Sequence, residues 1–359
     1  MKTDILVIGG GPAGLSASLA AKKLRAKVLI VDENPKPGGQ LIKQTHKFFG
    51  SKEHWCGVRG IDIANLLLNL VNENKIEIWL NASAVGIYNE NDKKVVGVVK
   101  DEEFIRVETQ GIIVSAGAQE NMLIFENNDL PGVYGAGAVQ TLVNVYGVPP
   151  GEKVLMIGSG NIGLIVSYQL MQAGIQVVGI VEAMPKIGGY LVHSAKVRRL
   201  GIPIYTSHTI KEAIPINQNE VKVAIIVELD SKWNEIPGTE KKIDCDVICL
   251  AVGLTPSCEL LQQAGCKMKY ISELGGYVAW HNKYMQTSIP EIYVAGDVSG
   301  VEEAVTAILE GRVAGASCAK EITGVKEADK IIHHTLKELS EFRSGPFGEK
   351  ASIGKKKLF

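Results

Sequence analysis

One glycine motif occurs twice in this chain, at positions 149 residues apart. Apolar runs end in Gly9-Gly-Gly-Pro-Ala-Gly14 and in Gly158-Ser-Gly-Asn-Ile-Gly163, both with the spacing Gly-x-Gly-x-x-Gly. In both copies a helical pattern and a second apolar run follow. A strand, a glycine turn, a helix and a second strand make up the βαβ unit of doubly wound α/β domains. The 359 residues are therefore predicted to hold two copies of one kind of domain.

The three glycines of each copy have different roles in a dinucleotide site. The first permits a sharp turn, the second lets the backbone approach a pyrophosphate, and the third lets helix and strand pack closely. A tight turn that binds nothing is the alternative interpretation of each copy. We expect these three roles for Gly9, Gly11 and Gly14 in the first copy, and for Gly158, Gly160 and Gly163 in the second.

An acidic residue after the second strand of each copy supports a nucleotide site. Asp32 follows Gly14 by 18 residues and Glu182 follows Gly163 by 19. Each carboxylate is expected to accept hydrogen bonds from ribose hydroxyls. A carboxylate there repels the 2′-phosphate of NADP, and no arginine occurs in residues 183–187. If the second copy binds a nicotinamide cofactor, NAD is therefore favoured over NADP.

The composition narrows the range of functions. The net charge is −1, from 38 basic and 39 acidic residues, so no overall field attracts nucleic acid. The longest apolar stretches have the length of strands, so no integral membrane segment is expected. A charged start followed by a glycine turn indicates a cytoplasmic protein without a signal peptide. Six cysteines without a Cys-x-x-Cys pair predict no disulfide framework, and no metal site is expected.

The order of the apolar runs predicts an α/β fold of two Rossmann-like dinucleotide-binding domains. The segments at residues 115–117 and 251–253 resemble those that join such domains in proteins where the second domain is inserted in the first. Each domain is expected to combine a parallel sheet with a small antiparallel meander. Residues 1–118 and 254–325 are assigned to the first domain, 119–253 to the second, and 326–359 to a C-terminal helix and tail. The lysines of the tail, at positions 355–357, are expected to be solvated.

A third motif lies near the end of the first domain. The apolar residues 292–295 end in Gly296-Asp297, and a long helical pattern follows. Together with the two glycine motifs, this makes the chain resemble the flavoproteins of the thioredoxin reductase and glutathione reductase type. The resemblance implies that FAD binds to the first domain, that Asp297 hydrogen-bonds its ribityl chain, and that Gly39 and Gln40 lie near the isoalloxazine. It also implies that the helix starting at Glu303 points its positive end at the flavin N1/O2 edge.

The same resemblance supplies the full set of candidate cofactor contacts. Residues 37–41 are similar to the flavin-contact segment, and residues 115–117 and 251–253 to the two crossovers between domains. The FAD contacts expected are Gly9, Gly11, Pro12, Ala13, Gly14, Asp32, Glu33, Gly39, Gln40, Leu41, Val85, Ala116, Gly117, Gly296, Asp297, Glu303 and Ala304. Those expected at the second site are Gly158, Gly160, Asn161, Ile162, Gly163, Glu182 and Gly253.

The chain departs from thioredoxin reductase because it lacks the redox cysteine pair of that enzyme. No cysteine occurs between Cys56 and Cys245. We therefore expect no dithiol chemistry. Electrons from the flavin would pass to a small acceptor, a quinone or another protein.

A longer stretch of the chain resembles one class of flavoprotein subunits, those called A or alpha in amino-acid-oxidising complexes. It comprises residues 128–140, the second glycine motif, residues 296–300 and Glu310-Gly-Arg-Val-Ala-Gly315. These complexes are the opine oxidases, hydroxyproline and dye-linked proline dehydrogenases, hydrogen cyanide synthase and heterotetrameric sarcosine oxidase. The resemblance implies a hetero-oligomer with a second flavoprotein subunit. Because Cys318 is the last cysteine, the iron–sulfur cluster of many relatives is expected on a separate small subunit or is absent.

The catalytic residues remain open, since hydride transfer between nicotinamide and flavin requires no general base. Lys43 and His46 follow the flavin-contact segment and are candidates for polarising the N1/O2 edge or binding a substrate carboxylate. A solvated basic loop is the alternative. Three functions follow, in order of preference: the FAD subunit of a hetero-oligomeric amino-acid or opine dehydrogenase, a stand-alone NADH:acceptor oxidoreductase, and a non-redox nucleotide-binding assembly subunit.

Overall fold

Two units share the chain, and each holds one of the glycine motifs. The structure is a computed structural model that describes residues 1–48, 51–90, 93–217, 219–345 and 348–358. Contacts among Cα atoms place residues 1–119 and 254–359 in unit 1 and residues 120–253 in unit 2.

The elements of secondary structure are numbered in chain order. The first part of unit 1 contains β1 (Ile5–Ile8), α1 (Pro12–Lys23), β2 (Val28–Val31), α2 (Gly60–Glu73), β3 (Glu77–Trp79), β4 (Ala82–Glu90), β5 (Lys93–Lys100), β6 (Glu103–Thr109), β7 (Gly111–Val114) and, ending at the boundary, β8 (Ala118–Glu120). Unit 2 contains β9 (Val133–Gly135), α3 (Ala136–Tyr146), β10 (Lys153–Ile157), α4 (Asn161–Gln172), β11 (Gln176–Glu182), α5 (Leu191–Arg199), β12 (Ile204–Thr206), β13 (His208–Ile216), β14 (Glu220–Glu228), β15 (Lys241–Asp244) and β16 (Val247–Leu250). The second part of unit 1 contains β17 (Leu254–Pro256), α6 (Glu259–Gln263), β18 (Met268–Ile271), β19 (Gly276–Ala279), β20 (Ile292–Val294), α7 (Ala304–Thr323), α8 (Glu327–Arg343) and α9 (Glu349–Leu358).

A parallel sheet forms the centre of unit 1, with the strand order β20-β7-β1-β2-β3. Ile5 of β1 pairs with Val28 of β2 on one side and with Gly111 of β7 on the other. These three strands are short apolar runs in which every residue is buried, as a parallel sheet covered on both faces requires. Strands β4, β5 and β6 form the antiparallel meander expected from the sequence.

Unit 2 repeats this plan with a second parallel sheet. Its strand order is β12-β11-β10-β16-β9, and β13, β14 and β15 form a separate antiparallel sheet. The predicted fold class is confirmed, because each unit joins a parallel Rossmann-like sheet to a small antiparallel one. Among the helices that the structure describes, none has both the length and the apolar character needed to span a membrane.

Helices α1 and α7 of unit 1 pack backbone against backbone. A Cβ atom on Gly311 would lie 2.1 Å from the carbonyl oxygen of Ala13, and one on Gly315 would lie 2.1 Å from that of Ala17. Real Cβ atoms do not come so close to backbone atoms, so only glycine allows this approach. The turn before α7 also packs against α1, since a Cβ on Gly296 would lie 2.9 Å from the Cβ of Ala13.

The expectation of a solvated C-terminal tail is wrong for part of the chain. After α8 the chain forms a further helix, α9, in which Lys355 is buried while Lys356 and Lys357 are exposed. The Lys355 ammonium group lies 2.8 Å from a carboxylate oxygen of Glu310 on α7. The partner stands 45 residues earlier in the chain, so a run of three lysines does not reveal it.

We expect the variant Gly315→Ala to be destabilised by about 1–3 kcal/mol, because the added methyl group meets the α1 backbone in a fully packed interface. The free energy of unfolding measured in urea tests this. As a matched control on the exposed face of α7, Lys320→Ala removes only a surface ion pair with Asp329 and should change stability by less than about 1 kcal/mol. Equal effects of the two substitutions would contradict the packing argument.

Candidate dinucleotide-binding sites

At two of the three motif glycines in the first turn of unit 1, a side chain would collide with the backbone. At the third, the space beside the backbone is free. Gly9 has φ +101°, and a Cβ there would lie 2.4 Å from the carbonyl oxygen of Ser115. A Cβ on Gly14 would lie 1.9 Å from the carbonyl oxygen of Gly9. At Gly11 the nearest described atom to an added Cβ is the Cα of Gly39, at 3.7 Å. Gly11 therefore faces free space at the start of α1, as a pyrophosphate cradle requires.

Helix α1 begins without a side-chain cap. Gly11 precedes the helix, Pro12 is its first residue, and Ala13 is buried beneath the turn. Because none of the described side chains caps this end, the first amide groups of α1 and the positive end of its dipole are available to an anion.

Asp32 lies directly after β2 and is buried beside the glycine turn. Its Oδ2 atom accepts a hydrogen bond from the Gly10 amide at 2.6 Å, and Oδ1 accepts one from the Asn34 amide at 2.8 Å. The two backbone donors fix the carboxylate at the end of the strand, where a ribose is expected. The neighbouring candidate Glu33 is exposed.

The predicted flavin-contact segment lies against the same turn. The Gly38 amide donates to the Gly10 carbonyl at 2.8 Å. A Cβ on Gly39 would lie 2.8 Å from the Cα of Gly11. A 3-10 helix over Gly39–Lys43 follows, in which Leu41 is buried and Gln40 is exposed.

The Gly-Asp turn also meets the start of α1. Gly296 has φ +77° and packs against Ala13, as described above. Asp297 is partly buried, and its Oδ1 accepts a hydrogen bond from the Glu302 amide at 3.4 Å. Burial raises the pKa of Asp297 to about 7, and the nearby carboxylates of Glu310 and Glu302 add to the shift.

The residues that follow this turn lead into α7. Glu303 is exposed and directly precedes the helix, and Ala304 is its first residue. The Glu303 side chain forms no cap on the helix.

Three further candidates border this region of unit 1. Ser115 donates its hydroxyl proton to the Gly9 carbonyl at 2.9 Å, which places the exposed Ala116 and the half-buried Gly117 next to the glycine turn. Val85 is exposed on β4, a strand whose first residue, Ala82, donates its amide to the Asp32 carbonyl at 2.9 Å.

The two catalytic candidates lie in the connection between the 3-10 helix and α2. Lys43 is the last residue of the 3-10 helix and is partly buried. His46 is also partly buried, and its ring stacks on Phe48 with centroids 5.9 Å apart. Both side chains are therefore only partly exposed, and their catalytic role stays a prediction.

In the second glycine turn, in unit 2, the first and third glycines are again closely packed and the central one is not. A Cβ on Gly158 would lie 2.3 Å from the carbonyl oxygen of Ala251, and one on Gly163 would lie 2.1 Å from that of Gly158. None of the described atoms lies within 4 Å of an added Cβ on Gly160. The open position is again the central glycine, and α4 begins directly after it at Asn161.

Glu182 occupies the place in unit 2 that Asp32 occupies in unit 1. Its Oε2 accepts a hydrogen bond from the Ser159 amide at 3.0 Å, and Oε1 accepts one from the Met184 amide at 2.9 Å. Each acid thus accepts one hydrogen bond from an amide of the glycine turn and one from the amide of the residue two positions after the acid itself. Of the remaining candidates in this unit, Ile162 is exposed and Gly253 has φ +113°.

The sequence reasoning missed a segment that folds over the second turn. The Gly189 amide donates to the Ser159 carbonyl at 2.8 Å, and the Tyr190 amide donates to Oδ1 of Asn161 at 2.9 Å. The signal was present, because Pro185-Lys-Ile-Gly-Gly189 repeats Pro35-Lys-Pro-Gly-Gly39 at an offset of 150 residues. The duplication therefore extends beyond the glycine motif and its acid.

All six cysteines lie in the described ranges, and each is a free thiol. Cys56 is exposed and the other five are buried. Burial raises the pKa of Cys245 and of Cys258 to about 12, which keeps these thiols protonated and unreactive near neutral pH.

Comparison with known proteins agrees with this geometry. Residues 3–311 match the protein family described as pyridine nucleotide-disulphide oxidoreductase. The chain is similar to the A subunit of opine oxidase from Agrobacterium tumefaciens (strain Ach5), with 28% identity over 89% of this chain and 66% of that protein. It is also similar to the alpha subunit of sarcosine oxidase from Rhizobium meliloti (strain 1021), with 26% identity over 89% of this chain and 30% of that protein.

The fold has a close match among solved structures. The thioredoxin reductase of T. acidophilum superimposes with a TM-score of 0.74 at 20% identity, covering 89% of this chain and 98% of that one. The two resemblances inferred from the sequence motifs are thereby confirmed. The chain nevertheless spans less than two thirds of the length of either curated relative named above, at 66% and 30%.

The variant Gly11→Ala should fold normally and bind a dinucleotide at least about tenfold more weakly, because its methyl group enters the open cradle. The φ of −75° at Gly11 is accessible to alanine. Titration of FAD into the cofactor-free protein measures the change. Gly14→Ala is the contrasting variant and should fail to fold stably, because its Cβ meets the Gly9 carbonyl. A Gly11→Ala protein with normal affinity would show that no pyrophosphate sits there.

Asp297 should make the stability of the cofactor-free protein fall with rising pH. Its pKa is raised from 3.8 to about 7, so the folded state retains the proton that the unfolded chain releases, and this contribution is lost as pH rises through about 7. Between about pH 5 and pH 8, the wild type should lose about 1–3 kcal/mol more stability than Asp297→Asn. Urea unfolding at both pH values tests this, and parallel losses in the two proteins would disprove it.

Proposed function

The chain belongs to the pyridine nucleotide-disulphide oxidoreductase family, and we propose that its unit 1 binds FAD. The observation that carries this proposal is the meeting of three separate segments at one glycine turn. The Gly38 amide hydrogen-bonds to the turn, Asp32 accepts a hydrogen bond from the Gly10 amide of the turn, and the Gly-Asp turn at residues 296–297 packs on Ala13 at its helical end. A mononucleotide site needs only the glycine turn and its acid, whereas an extended dinucleotide needs further contacts along its length.

Each group in unit 1 then has a defined task toward FAD. The open face of Gly11 and the uncapped start of α1 bind the pyrophosphate. Asp32 accepts hydrogen bonds from the adenosine ribose, and Asp297 binds the ribityl chain. The start of α7, at Ala304, directs its positive end toward the N1/O2 edge of the ring. When bound, FAD supplies the electron sink for hydride transfer, and these groups hold and orient it.

We propose further that unit 2 binds NAD in preference to NADP. Glu182 is fixed by the amides of Ser159 and Met184, so its carboxylate cannot turn away from a 2′-phosphate without giving up two hydrogen bonds. Gly160 leaves the space that a pyrophosphate needs. Both features favour a nucleotide with a free 2′-hydroxyl.

For the chain as a whole, we propose the role of the electron-transferring flavoprotein subunit in a hetero-oligomeric amino-acid or opine dehydrogenase, of the proline, hydroxyproline or sarcosine type. The two curated relatives named above support this, since both are subunits of oxidases by their names. Its partners would be a second flavoprotein subunit, on which the amine is oxidised, and a small iron–sulfur subunit. The buried thiols fit the absence of a dithiol relay in this proposal. Lys43 and His46 remain the candidates for contacts with the flavin edge.

A stand-alone NADH:acceptor oxidoreductase is the second candidate. It is favoured by the second nucleotide cradle, in which Glu182 and Gly160 repeat the arrangement of unit 1. In that case hydride would pass from NADH to FAD within one chain. The two candidates differ in whether NADH reduces the isolated protein.

Anaerobic titration of the purified chain, reconstituted with FAD, separates these functions. The proposal predicts a yellow protein with the two visible bands of oxidised flavin, bleached by dithionite but by neither NADH nor sarcosine, proline or an opine. Bleaching by NADH would establish the stand-alone function instead. If that bleaching is lost in Gly160→Ala while the flavin spectrum is retained, the hydride donor binds in unit 2. A protein that stays colourless after incubation with FAD would overturn both candidates.

A further inference from the structure

Four charged side chains are buried together beside the Gly-Asp turn of unit 1. Two are carboxylates, Glu302 and Glu310, with 6% and 2% of their side chains exposed. Two are cations, Arg343 and Lys355, with 16% and 8% exposed. Glu302 lies just before α7 and Glu310 lies within it, whereas the cations come from the C-terminal helices α8 and α9. We call this set the C-terminal charge cluster.

Each cation makes several contacts within the cluster. The Arg343 guanidinium donates from Nη2 to Glu302 and to Glu310, both at 2.5 Å, and from Nε to Glu302 at 2.9 Å. Lys355 Nζ lies 2.8 Å from Glu310 Oε1 and donates to the hydroxyl and the carbonyl of Ser299 at 2.8 Å and 3.0 Å. Such multiple contacts fix the position of each carboxylate rather than merely balancing its charge.

Glu310 and Glu302 are both hydrogen-bonded to the turn that carries Asp297, Glu310 through its carboxylate and Glu302 through its backbone amide. Glu310 Oε2 accepts hydrogen bonds from the Gly296 amide at 3.0 Å and from the Ser299 hydroxyl at 2.6 Å. The Glu302 amide donates to Asp297 Oδ1 at 3.4 Å. The Glu310 carboxylate thus holds Gly296 and Ser299 on either side of Asp297, while the Glu302 amide holds Asp297 itself. The carboxylates of both glutamates are in turn contacted by cations from the C-terminal helices.

The arrangement depends on the cations, because a buried carboxylate without a partner is strongly unfavourable. Burial opposes the ionisation of Glu310, yet Lys355 and Arg343 hold its pKa below the usual value. If one cation is removed, Glu310 loses part of the charge that keeps its buried carboxylate ionised, which favours uptake of a proton or movement toward solvent. Either response weakens its hold on the Gly296 amide and on Ser299.

We propose that Lys355 and Arg343 are positioning residues for the ribityl half of the FAD site, so that the C-terminal helices clasp the turn on which Asp297 lies. This rests on the proposed function, because it assumes that FAD binds to unit 1. The adenosine half, at Gly11 and Asp32, lies outside the cluster's hydrogen-bond network. Loss of a cation should therefore weaken the binding of FAD without weakening the binding of ADP, which contains only the adenosine half and the phosphates.

The test compares FAD and ADP binding to Lys355→Met and Lys356→Met. Lys356 neighbours Lys355 on α9 but is exposed, so it is the matched control. Equilibrium dialysis on the cofactor-free proteins should show that Lys355→Met raises the Kd for FAD by about tenfold or more and changes that for ADP by less than about twofold. Lys356→Met should leave both unchanged.

A second variant covers the case in which Lys355→Met does not fold. Arg343→Lys keeps the charge but loses the forked contact with both carboxylates, so it should also weaken FAD selectively. Equal losses for FAD and ADP would mean that the cluster only stabilises the fold, and unchanged FAD binding in a folded variant would overturn the proposal. If the wild type itself fails to bind FAD, the proposed function fails rather than this inference.

Discussion

The backbone of Gly14 rests on the carbonyl of Gly9, and this contact fixes the geometry on which unit 1 depends. A Cβ at Gly14 would come within 1.9 Å of that oxygen, so the first turn of α1 can lie only where a residue without a side chain allows it. Other segments of unit 1 are positioned by contacts with the same turn. The amide and carbonyl of Gly10 bind Asp32 and Gly38, and Ala13 receives Gly296 and Gly311.

Unit 2 has the same contact, between Gly158 and Gly163. Glu182 corresponds to Asp32, and the diglycine segment at Gly188 and Gly189 corresponds to Gly38 and Gly39. Unit 1 differs from unit 2 in what is proposed to be the second half of its site. In unit 1 the Gly-Asp turn also packs against the glycine turn, and it is hydrogen-bonded to Glu310 and to Lys355 of α9. The duplicated core therefore fits the proposal of two related nucleotide sites, and the additional turn fits the proposal that the larger cofactor binds to unit 1.

Much of this could be predicted from the sequence, because the signals are local. Each signal lies within a short stretch of sequence. The signals are the spacing of Gly9, Gly11 and Gly14, the distance from them to Asp32, and the apolar run before Gly296. The roles of the first and third glycines also follow from spacing, since an added Cβ there would meet backbone atoms, whereas the pyrophosphate role of the central glycines stays a prediction.

The parts that escaped prediction depend on distant partners. From the sequence, Lys355 is one of three lysines that are expected to be solvated. Its contact with Glu310 appears only in the structure, because nothing within its own helix indicates it. The raised pKa of Asp297 likewise arises from burial and from carboxylates brought together by folding. The diglycine segment at Gly188 and Gly189 was different, because its repeat was visible in the sequence and was overlooked.

A crystal structure of the chain loaded with FAD tests the central claim most directly. The account predicts that the pyrophosphate lies over Gly11, that the adenosine ribose hydrogen-bonds to Asp32, and that the ribityl chain reaches Asp297. FAD bound at Gly160 and Glu182 of unit 2, or a pyrophosphate away from the Gly11 turn, would contradict it.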